Sequence, residues 1–351
     1  MTSKTTAAFH APIARPRATM KQVATLAGVG TKTVSRVING EPNVTEATSA
    51  KVWDAVRALD YQPDLQAGSL RRADGRTRTL GLLVGSVDNP FAGVIQRAVE
   101  DVAATRGVSV FASSLDDDPA REESAVRNFL QRRVDGLILT TARTTPDYLN
   151  QVRDRGVPVV FIDREPMMKG LDVVASDNRE GARRATEHLI DHGHHRIALL
   201  LDRMDLITAV QRRQGFFDAF GAAGIRTDLA AVVSELHDEH AARRAVLDLM
   251  ASDDVPTAVF SAQNLITLGA LHALRELGLE RTVALVGFDD LPLADLIDPG
   301  VTVVAQNPQE IGRLAAERLF ALLDGSTDSA RRIIVPTTLI ARGTGELTAP
   351  R

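Results

Sequence analysis

The sequence predicts an N-terminal all-α helix-turn-helix domain with a hinge helix, followed by a C-terminal α/β core of two doubly wound parallel-sheet lobes. Three observations predict this fold. Three short amphipathic segments, separated by glycines or capping residues, occupy residues 19–63. From Thr79 onward, short apolar runs alternate with helical stretches. The alternation begins twice, at Arg78-Thr79-Leu80-Gly81 and at His195-Arg196-Ile197-Ala198, which predicts two similar lobes.

Two short helices are predicted around a glycine turn. Thr19 is a good N-cap, and Gln22 follows three residues later as in a capping box, which predicts a helix over residues 20–27. Gly28-Val29-Gly30 interrupts that helix, because a tight turn needs glycine where φ is positive or where helices approach closely. A second helix is predicted from about Thr31 to Ile38.

The second helix has one apolar and one polar face. Asn39-Gly40 ends it in the manner of a left-handed C-cap, and Thr45 caps a third helix with Val52 and Val56 at core spacing. The polar face carries Thr31, Lys32, Thr33, Ser35 and Arg36. A recognition helix needs short polar side chains and Lys or Arg to reach base edges and phosphates. We therefore predict a DNA-binding helix, with a generic three-helix bundle as the alternative.

This segment resembles the DNA-binding domain of the lactose-repressor (LacI/GalR) family of bacterial transcription regulators. The resemblance is carried by the run AGV-x-x-x-TVSRV-x-N, followed by V-T-E, Y-x-P and SLR. It extends over essentially the whole chain after residue 18. The family therefore implies a DNA-binding domain, a hinge and a sensor core.

The resemblance assigns DNA contacts residue by residue. Base reading in the major groove is implied for Thr31, Lys32 and Arg36. Contacts with the DNA backbone are implied for Thr33, Ser35 and Asn39, with further phosphate contacts at Thr19 and Asn43. The expected DNA partner is a palindromic operator, because a twofold dimer presents two recognition helices.

Residues 63–72 resemble the hinge helix of the family. In that family two hinge helices fold on DNA and wedge a leucine into the minor groove, and Leu70 matches this leucine. Gly68 lies in the middle of the segment and costs roughly 1 kcal/mol of helix stability relative to alanine. We therefore expect a hinge that is disordered away from DNA, with an ordinary linker as the alternative.

The sensor core is predicted from six apolar runs that have the length of buried strands. They span 80–84, 136–139, 157–161, 197–200, 258–260 and 283–286. Helical stretches such as 92–106 and 180–192 separate them. The resemblance implies a core shaped like a periplasmic sugar-binding protein, in which the ligand lies between the lobes at the carboxyl ends of strands.

Polar and aromatic residues follow these strands at positions where a ligand would bind. They are Asn89, Phe91, Asp163, Arg164, Arg212, Gln263, Asn264, Phe288, Asp289 and Gln306. Carboxylates and guanidinium groups bridge vicinal hydroxyls of a sugar, amides pair with them, and an aromatic face covers the C–H side. In ribose-binding relatives the positions that match all of these residues except Gln263 hold the sugar. The resemblance therefore implies a pentose such as ribose as the effector, with hexoses and nucleosides as alternatives.

Charge is distributed unevenly along the chain. Residues 1–78 hold 12 Lys and Arg against 6 Asp and Glu, while the remaining residues hold 29 against 39. A positive end is the electrostatic footprint expected for DNA contact. The chain has no cysteine, and its N-terminal 18 residues lack the apolar stretch of a signal peptide. We therefore expect a cytoplasmic protein with no membrane contact and a disordered tail.

Several other functional sites are not expected from the sequence. His188 and His192 are spaced as metal ligands can be, but the segment resembles the family's helix end, so no metal is predicted. Asp116-Asp117-Asp118 is predicted to be a solvated loop before a helix that starts at Pro119. No phosphate-cradling loop or nucleophile elbow is present, so neither a cofactor nor an enzyme activity is predicted.

Together these features predict a homodimeric repressor controlled by a small sugar-like effector. The predicted limits are a tail over 1–18, a helix-turn-helix domain over 19–63, a hinge and linker over 64–78, and an effector-binding and dimerisation domain over 79–345. Its first lobe is expected at about 79–176 and 306–335, and its second at about 177–305 and 336–345. A solute-binding protein without a regulatory DNA function is the alternative, and an enzyme on the same scaffold ranks third.

Overall fold

The computed structural model of the protein describes residues 18–38, 40–62 and 75–350. The chain divides into two compact units between Thr77 and Arg78. Asn39, the predicted hinge and its Leu70 lie outside the described residues. Each unit has its own hydrophobic core.

The first unit is a small three-helix domain. Its helices are α1 (Met20–Ala27), α2 (Thr31–Ile38) and α3 (Glu46–Ala58), which confirms the predicted helices. Val23, Val34 and Val52 have no exposed surface and form the centre of the core. One apolar residue from each helix therefore fixes the packing of the domain.

Capping residues set the limits of these helices. The Thr19 amide donates to Gln22 Oε1 at 2.8 Å, and the Gln22 amide donates to Thr19 Oγ1 at 3.3 Å, which completes the predicted capping box. Gly28 ends α1 at φ 65°, and Gly40 follows α2 at φ 65°. At both glycines the left-handed conformation turns the chain sharply, as a residue without Cβ allows.

The second unit contains two six-stranded sheets. The first sheet is formed by β1 (Thr79–Val84), β2 (Ser109–Ser114), β3 (Gly136–Leu139), β4 (Val159–Ile162), β5 (Asp172–Ser176) and β11 (Arg332–Val335). Its strand order is β11-β5-β4-β3-β1-β2, and every pairing is parallel. Its helices are α4 (Pro90–Thr105), α5 (Pro119–Gln131), α6 (Tyr148–Asp154) and α11 (Pro308–Leu323).

The second sheet repeats this arrangement with one reversed edge strand. It is formed by β6 (Ile197–Leu200), β7 (Ala231–Val233), β8 (Ala258–Ser261), β9 (Ala284–Phe288), β10 (Thr302–Ala305) and β12 (Thr338–Ile340). Its strand order is β12-β10-β9-β8-β6-β7, with only β12 antiparallel to its neighbour in the described sheet. Its helices are α7 (Asn178–Asp191), α8 (Ile207–Ala222), α9 (Glu239–Met250) and α10 (Asn264–Glu276).

Helices cover both faces of each sheet, which confirms the predicted doubly wound α/β core. In the first lobe, Val99 of α4 and Leu319 of α11 pack on one face, and Phe129 of α5 packs on the other. In the second lobe, Ala270 of α10 and Phe216 of α8 pack on opposite faces. The exact lobe limits stay a prediction, although β11 and β12 lie in different sheets.

Candidate functional site

The polar face of α2 is accessible in the first unit. Val34 and Val37 are buried, whereas Thr31, Lys32 and Arg36 are exposed. Arg36 Nε lies 3.7 Å from Glu41 Oε2, at a pair that is about half exposed. Thr33 and Ser35 are partly exposed. The helix therefore presents the side chains of Thr31, Lys32 and Arg36, which can reach base edges. Its two buried valines pack it against the rest of the domain.

The other predicted DNA contacts lie near helix ends. Thr19 is exposed, although its side chain also takes part in the capping box of α1. Asn43 is exposed at φ 79°, a left-handed conformation that asparagine adopts more readily than most residues. The remaining two predicted DNA-contact residues, Asn39 and Leu70, lie outside the described residues.

A cavity of about 230 Å³ lies between the two lobes of the second unit. Its first-lobe wall is formed by the segments that follow β1, β2, β3 and β4, and its second-lobe wall includes His237, Gln263 and Leu265. Five predicted effector residues line it: Asn89, Phe91, Asp163, Arg164 and Gln263. The carboxyl ends of the strands therefore bring half of the predicted set to one cavity.

Two helix-capping amides help to define this cavity. Asn89 Oδ1 accepts a hydrogen bond from the Phe91 amide at 3.1 Å and caps α4. Gln263 Oε1 accepts from the Ile266 amide at 3.1 Å and caps α10. Asn264 pairs with Asn89 across the cleft through reciprocal amide hydrogen bonds. Each amide is thus held by backbone or by the opposite lobe.

A cluster of charged side chains around Arg164 forms part of the wall of the cavity. Arg164 Nη1 donates to Asp117, and Arg164 Nη2 lies 3.8 Å from Asp202 Oδ2 in the second lobe. Asp163 has φ 60°. Burial raises the pKa of the Asp163 carboxyl above its ordinary value, and the neighbouring Arg164 and Arg212 only partly offset this effect. The ionised form of Asp163 therefore needs a hydrogen-bond donor or a cation beside it.

Arg212 and Phe288 form a buried cluster in the second lobe. The Arg212 guanidinium lies 3.8 Å from the centroid of the Phe288 ring, within range of a cation–π contact. Arg212 Nε donates to Asn178 Oδ1 at 2.9 Å, and Nη1 donates to the Ala262 carbonyl at 2.7 Å. Burial lowers the pKa of Arg212, and the nearby Asp289 counteracts this. These contacts hold the guanidinium in one orientation.

Asp289 and Gln306 form a second polar group, beside the chain segments that join the lobes. Gln306 Nε2 donates to Asp289 Oδ1 at 2.5 Å, and Gln306 Oε1 accepts from the Ser176 hydroxyl. Ser176 ends β5, directly before the chain enters the second lobe. Of the ten predicted effector residues, Arg212, Asn264, Phe288, Asp289 and Gln306 are not among the residues that line the cavity, because each is engaged by protein partners or buried.

The structure also brings residues to the cleft that the sequence analysis did not name. Thr140 lines the cavity, and its hydroxyl is buried without a hydrogen-bond partner among the described residues. Asp117 was expected in a solvated loop, but it contacts Arg164, and its carbonyl accepts from Arg203 Nη1 of the second lobe at 3.2 Å. His237 also lines the cavity, with Nδ1 3.7 Å from Asp202 Oδ1. Thr140 follows the second predicted strand, so its place at a strand end was the available signal.

The histidine segment makes protein contacts. His188 Nε2 lies 2.7 Å from Glu346 Oε1, and the ring centroids of His188 and His192 are 4.6 Å apart. Within residues 18–38, 40–62 and 75–350, no group of three or more His, Cys, Asp or Glu side chains is arranged to hold a metal ion. The helices of those same residues include none with the length and apolar character needed to cross a membrane.

Comparison with known sequence families covers both units. Residues 19–64 match the family described as bacterial regulatory proteins, lacI family. Residues 77–343 match the family described as periplasmic binding proteins and sugar binding domain of LacI family. The chain belongs to the LacI family. This confirms the predicted class of transcriptional regulator, as opposed to an enzyme.

LacI-family relatives match over nearly the whole chain. The ribose operon repressor of Escherichia coli is 33% identical over 329 residues, which cover 93% of this chain and 99% of the relative. The HTH-type transcriptional repressor PurR of Aliivibrio salmonicida is 31% identical over 306 residues, 86% of this chain and 91% of the relative. The lac repressor dimer bound to operator and the anti-inducer ONPF shares the fold, with a TM-score of 0.83, 26% identity and coverage of 94% and 99%.

Proposed function

We propose that this LacI-family chain is a repressor whose affinity for a palindromic operator is controlled by a neutral sugar, best a pentose such as ribose. The observation that carries this proposal is the cavity between the lobes, whose wall combines carboxylate, guanidinium and amide groups with Phe91. These groups match the hydroxyls and the C–H face of a sugar. The similarity to a ribose operon repressor supports the choice of pentose.

The charge of the cavity favours an uncharged effector. Among the described residues that line it are four aspartates, Asp88, Asp116, Asp117 and Asp163, against one arginine, Arg164. A phosphate or carboxylate on the ligand would add negative charge beside these groups, of which Asp117 and Asp163 are partly buried and therefore less screened by solvent. We therefore place neutral sugars ahead of sugar phosphates.

For DNA recognition we propose two groups of contacts in each half of the operator. Thr31, Lys32 and Arg36 read base edges in the major groove, and the exposed ends of α2 support this role. The DNA backbone is contacted by Thr33, Ser35, Asn39, Thr19 and Asn43, and Leu70 enters the minor groove between two hinge helices. A homodimer supplies both halves, as in the lac repressor dimer on its operator.

Control follows from the position of the effector between two lobes. A ligand that contacts both walls favours one lobe arrangement, and this arrangement changes the spacing of the paired DNA-binding domains. By linkage, an effector that weakens operator binding is itself bound more weakly when the operator is present, by the same factor. We also propose effector contacts for five predicted residues that do not line the described cavity: Arg212, Asn264, Phe288, Asp289 and Gln306.

Thermal unfolding against pentoses, hexoses, nucleosides and sugar phosphates tests the proposal. A sugar at 100 times its dissociation constant adds roughly 2.7 kcal/mol of stability if it binds only the folded state. We expect the largest shift with D-ribose, and the same sugar should change operator affinity in a fluorescence anisotropy titration. A shift only with a sugar phosphate would contradict the neutral effector, and a D-ribose shift without any change in operator affinity would contradict the control.

A further inference from the structure

Glu122 is a fully buried carboxylate that lies behind the wall of the cleft. It belongs to the first turn of α5 and has no exposed surface. Its Oε1 accepts hydrogen bonds from the Thr141 hydroxyl at 2.6 Å and the Tyr148 hydroxyl at 2.5 Å. Its Oε2 accepts from the Ala142 amide at 2.9 Å. All three donors come from residues 141–148, so one carboxylate holds one segment at three points.

The start of that segment overlaps residues 140–144, here called the 140–144 loop, which form part of the cleft wall. Thr140 lines the effector cavity, where its hydroxyl has no partner among the described residues. Thr141, Ala142 and the next two residues line a second cavity between the lobes, of about 200 Å³. Arg164 lines both cavities. The carboxylate therefore holds the backbone from which two neighbouring parts of the cleft wall are built.

The surroundings of Glu122 make this attachment strong. A buried carboxylate is costly unless it is hydrogen-bonded, and bonds to a charged group are stronger than those between neutral groups. Its place in the first turn of α5 also puts it near the positive end of the helix dipole. Burial, and then the adjacent Glu122, raise the pKa of the Tyr148 phenol, so this hydroxyl stays protonated and remains a donor.

We propose that Glu122 is a positioning residue for the effector site, which fixes the 140–144 loop against α5 and so sets the course of the cleft wall after Thr140. The inference rests on the proposed binding of a sugar in this cleft. Glu122 itself does not line the cavity and acts through the loop. Thr140 is held separately, because its amide donates to the Leu83 carbonyl at 3.0 Å. Loss of the Glu122 carboxylate therefore frees the residues that follow Thr140, and the sugar site loses part of its preorganisation.

The test compares Glu122→Gln, Thr141→Val and Tyr148→Phe with wild type in the full-length protein. The matched control is Glu317→Gln, because Glu317 lies on α11 of the same lobe but is exposed and bonds to Arg313 at 2.6 Å. Hydrogen exchange of the 140–144 amides measures local opening of the loop without any ligand. Titration with D-ribose, followed by thermal unfolding or calorimetry, measures the effect on the site.

We expect faster exchange in the 140–144 loop, by at least about tenfold for Glu122→Gln, with unchanged exchange in the second lobe. D-ribose affinity should fall about tenfold, with smaller losses for Tyr148→Phe and Thr141→Val, which each leave two donors on the carboxylate. Glu317→Gln should match wild type in both measurements.

Two results would overturn the inference. Exchange that rises equally in both lobes would mean that Glu122 contributes only to global stability. Faster exchange in the loop with unchanged D-ribose affinity would show that the loop does not affect effector binding. If wild type itself does not bind D-ribose, the proposed effector is wrong, and hydrogen exchange alone decides whether Glu122 holds the loop. If Glu122→Gln does not fold, Tyr148→Phe provides the same comparison.

Discussion

The side-chain amides of Asn89 and Asn264 bond to each other across the cleft. Asn264 Nδ2 donates to Asn89 Oδ1 at 2.8 Å, and Asn89 Nδ2 donates to Asn264 Oδ1 at 3.3 Å. Asn89 precedes α4 in the first lobe, and Asn264 is the first residue of α10 in the second. The pair therefore joins the lobes directly, and a ligand that inserts between these amides must replace both bonds.

A double-mutant cycle with Asn89→Ala and Asn264→Ala measures this cross-lobe contact. We expect a coupling of about 0.5–1.5 kcal/mol in the free energy of unfolding, because each single change already removes the shared bonds. Asn89→Ala alone should cost more than Asn264→Ala, since it also removes the cap of α4. Urea denaturation of the four proteins supplies the values.

The control for this cycle uses an exposed asparagine that caps a different helix. Asn307 caps α11 by accepting from the Glu310 amide at 3.0 Å. Asn307→Ala and Asn264→Ala should therefore add without coupling. Additive behaviour of Asn89 and Asn264 as well would show that the amide pair contributes nothing to stability.

Asp163→Asn should raise stability at neutral pH and weaken the sugar response. Burial raises the pKa of Asp163, so its ionised form is disfavoured in the folded protein, and stability falls as pH rises through the native pKa. Asparagine keeps the shape without the charge. Asp218→Asn is the control of opposite sign, because Arg179 lowers the pKa of Asp218 and loss of that carboxylate should reduce stability. Unfolding at pH 7 measures the change in stability of both variants, and sugar titration measures the response of Asp163→Asn. A less stable Asp163→Asn would contradict the argument.

The sequence predicted central strands better than edge strands. Continuous apolar runs such as Gly136–Leu139 are buried on both faces, so their composition alone indicates their place in a parallel sheet. The edge strand Ser109–Ser114 is largely accessible and carries three serines, so no apolar run marks it. Its pairing with β1 depends on a partner distant in sequence, which a local pattern does not show.

Part of the site was predictable because its residues lie in the segments that follow strands. This rule brought Asn89 and Asp163 to the cavity. Glu122 was not predicted, because its contacts with residues 19 to 26 positions later depend on the packing of α5 against the loop after β3. Arg212 was predicted, but its stacking on Phe288 in a buried cluster depends on tertiary contacts between α8 and β9.

His194 should make stability fall below neutral pH. Its ring is buried, with Nε2 2.8 Å from the Leu347 carbonyl and Nδ1 2.9 Å from the Thr257 hydroxyl. Burial lowers the pKa of His194, so the folded protein holds it neutral while the unfolded chain takes up a proton below about pH 6.5. Stability is therefore present above that pH and is lost, by up to about 1.4 kcal/mol per pH unit, as pH falls toward the native pKa.

Urea denaturation at pH 7 and pH 5 checks the role of His194. The difference in unfolding free energy between the two pH values should be smaller in His194→Gln than in wild type. His195→Gln is the matched control, because His195 is the next residue and is exposed. An unchanged pH dependence in His194→Gln would assign the loss of stability at low pH to other groups.

Lys32→Ala should relax base preference at one position of each operator half-site. Lys32 is exposed at the start of α2, where its ammonium group can reach a base edge, and loss of such a contact costs about 1–3 kcal/mol of discrimination. Lys51→Ala removes the same charge from an exposed position of α3 and should keep the preference. Sequencing of the operators that each variant selects from a library measures both base preferences. Uniform weakening across all sequences by Lys32→Ala would make Lys32 a phosphate contact.

Gly215→Ala should destabilise the second lobe strongly, whereas Gly221→Ala in the same helix should not. A Cβ at Gly215 would lie 1.9 Å from the carbonyl oxygen of Arg179, where α8 crosses α7. Backbone cannot yield as a side chain can, so we expect a loss of at least about 3 kcal/mol. At Gly221 nothing lies within 4 Å, and alanine should add up to about 1 kcal/mol through helix propensity. Thermal and urea unfolding of both variants test this; equal effects would mean that the helices separate without cost.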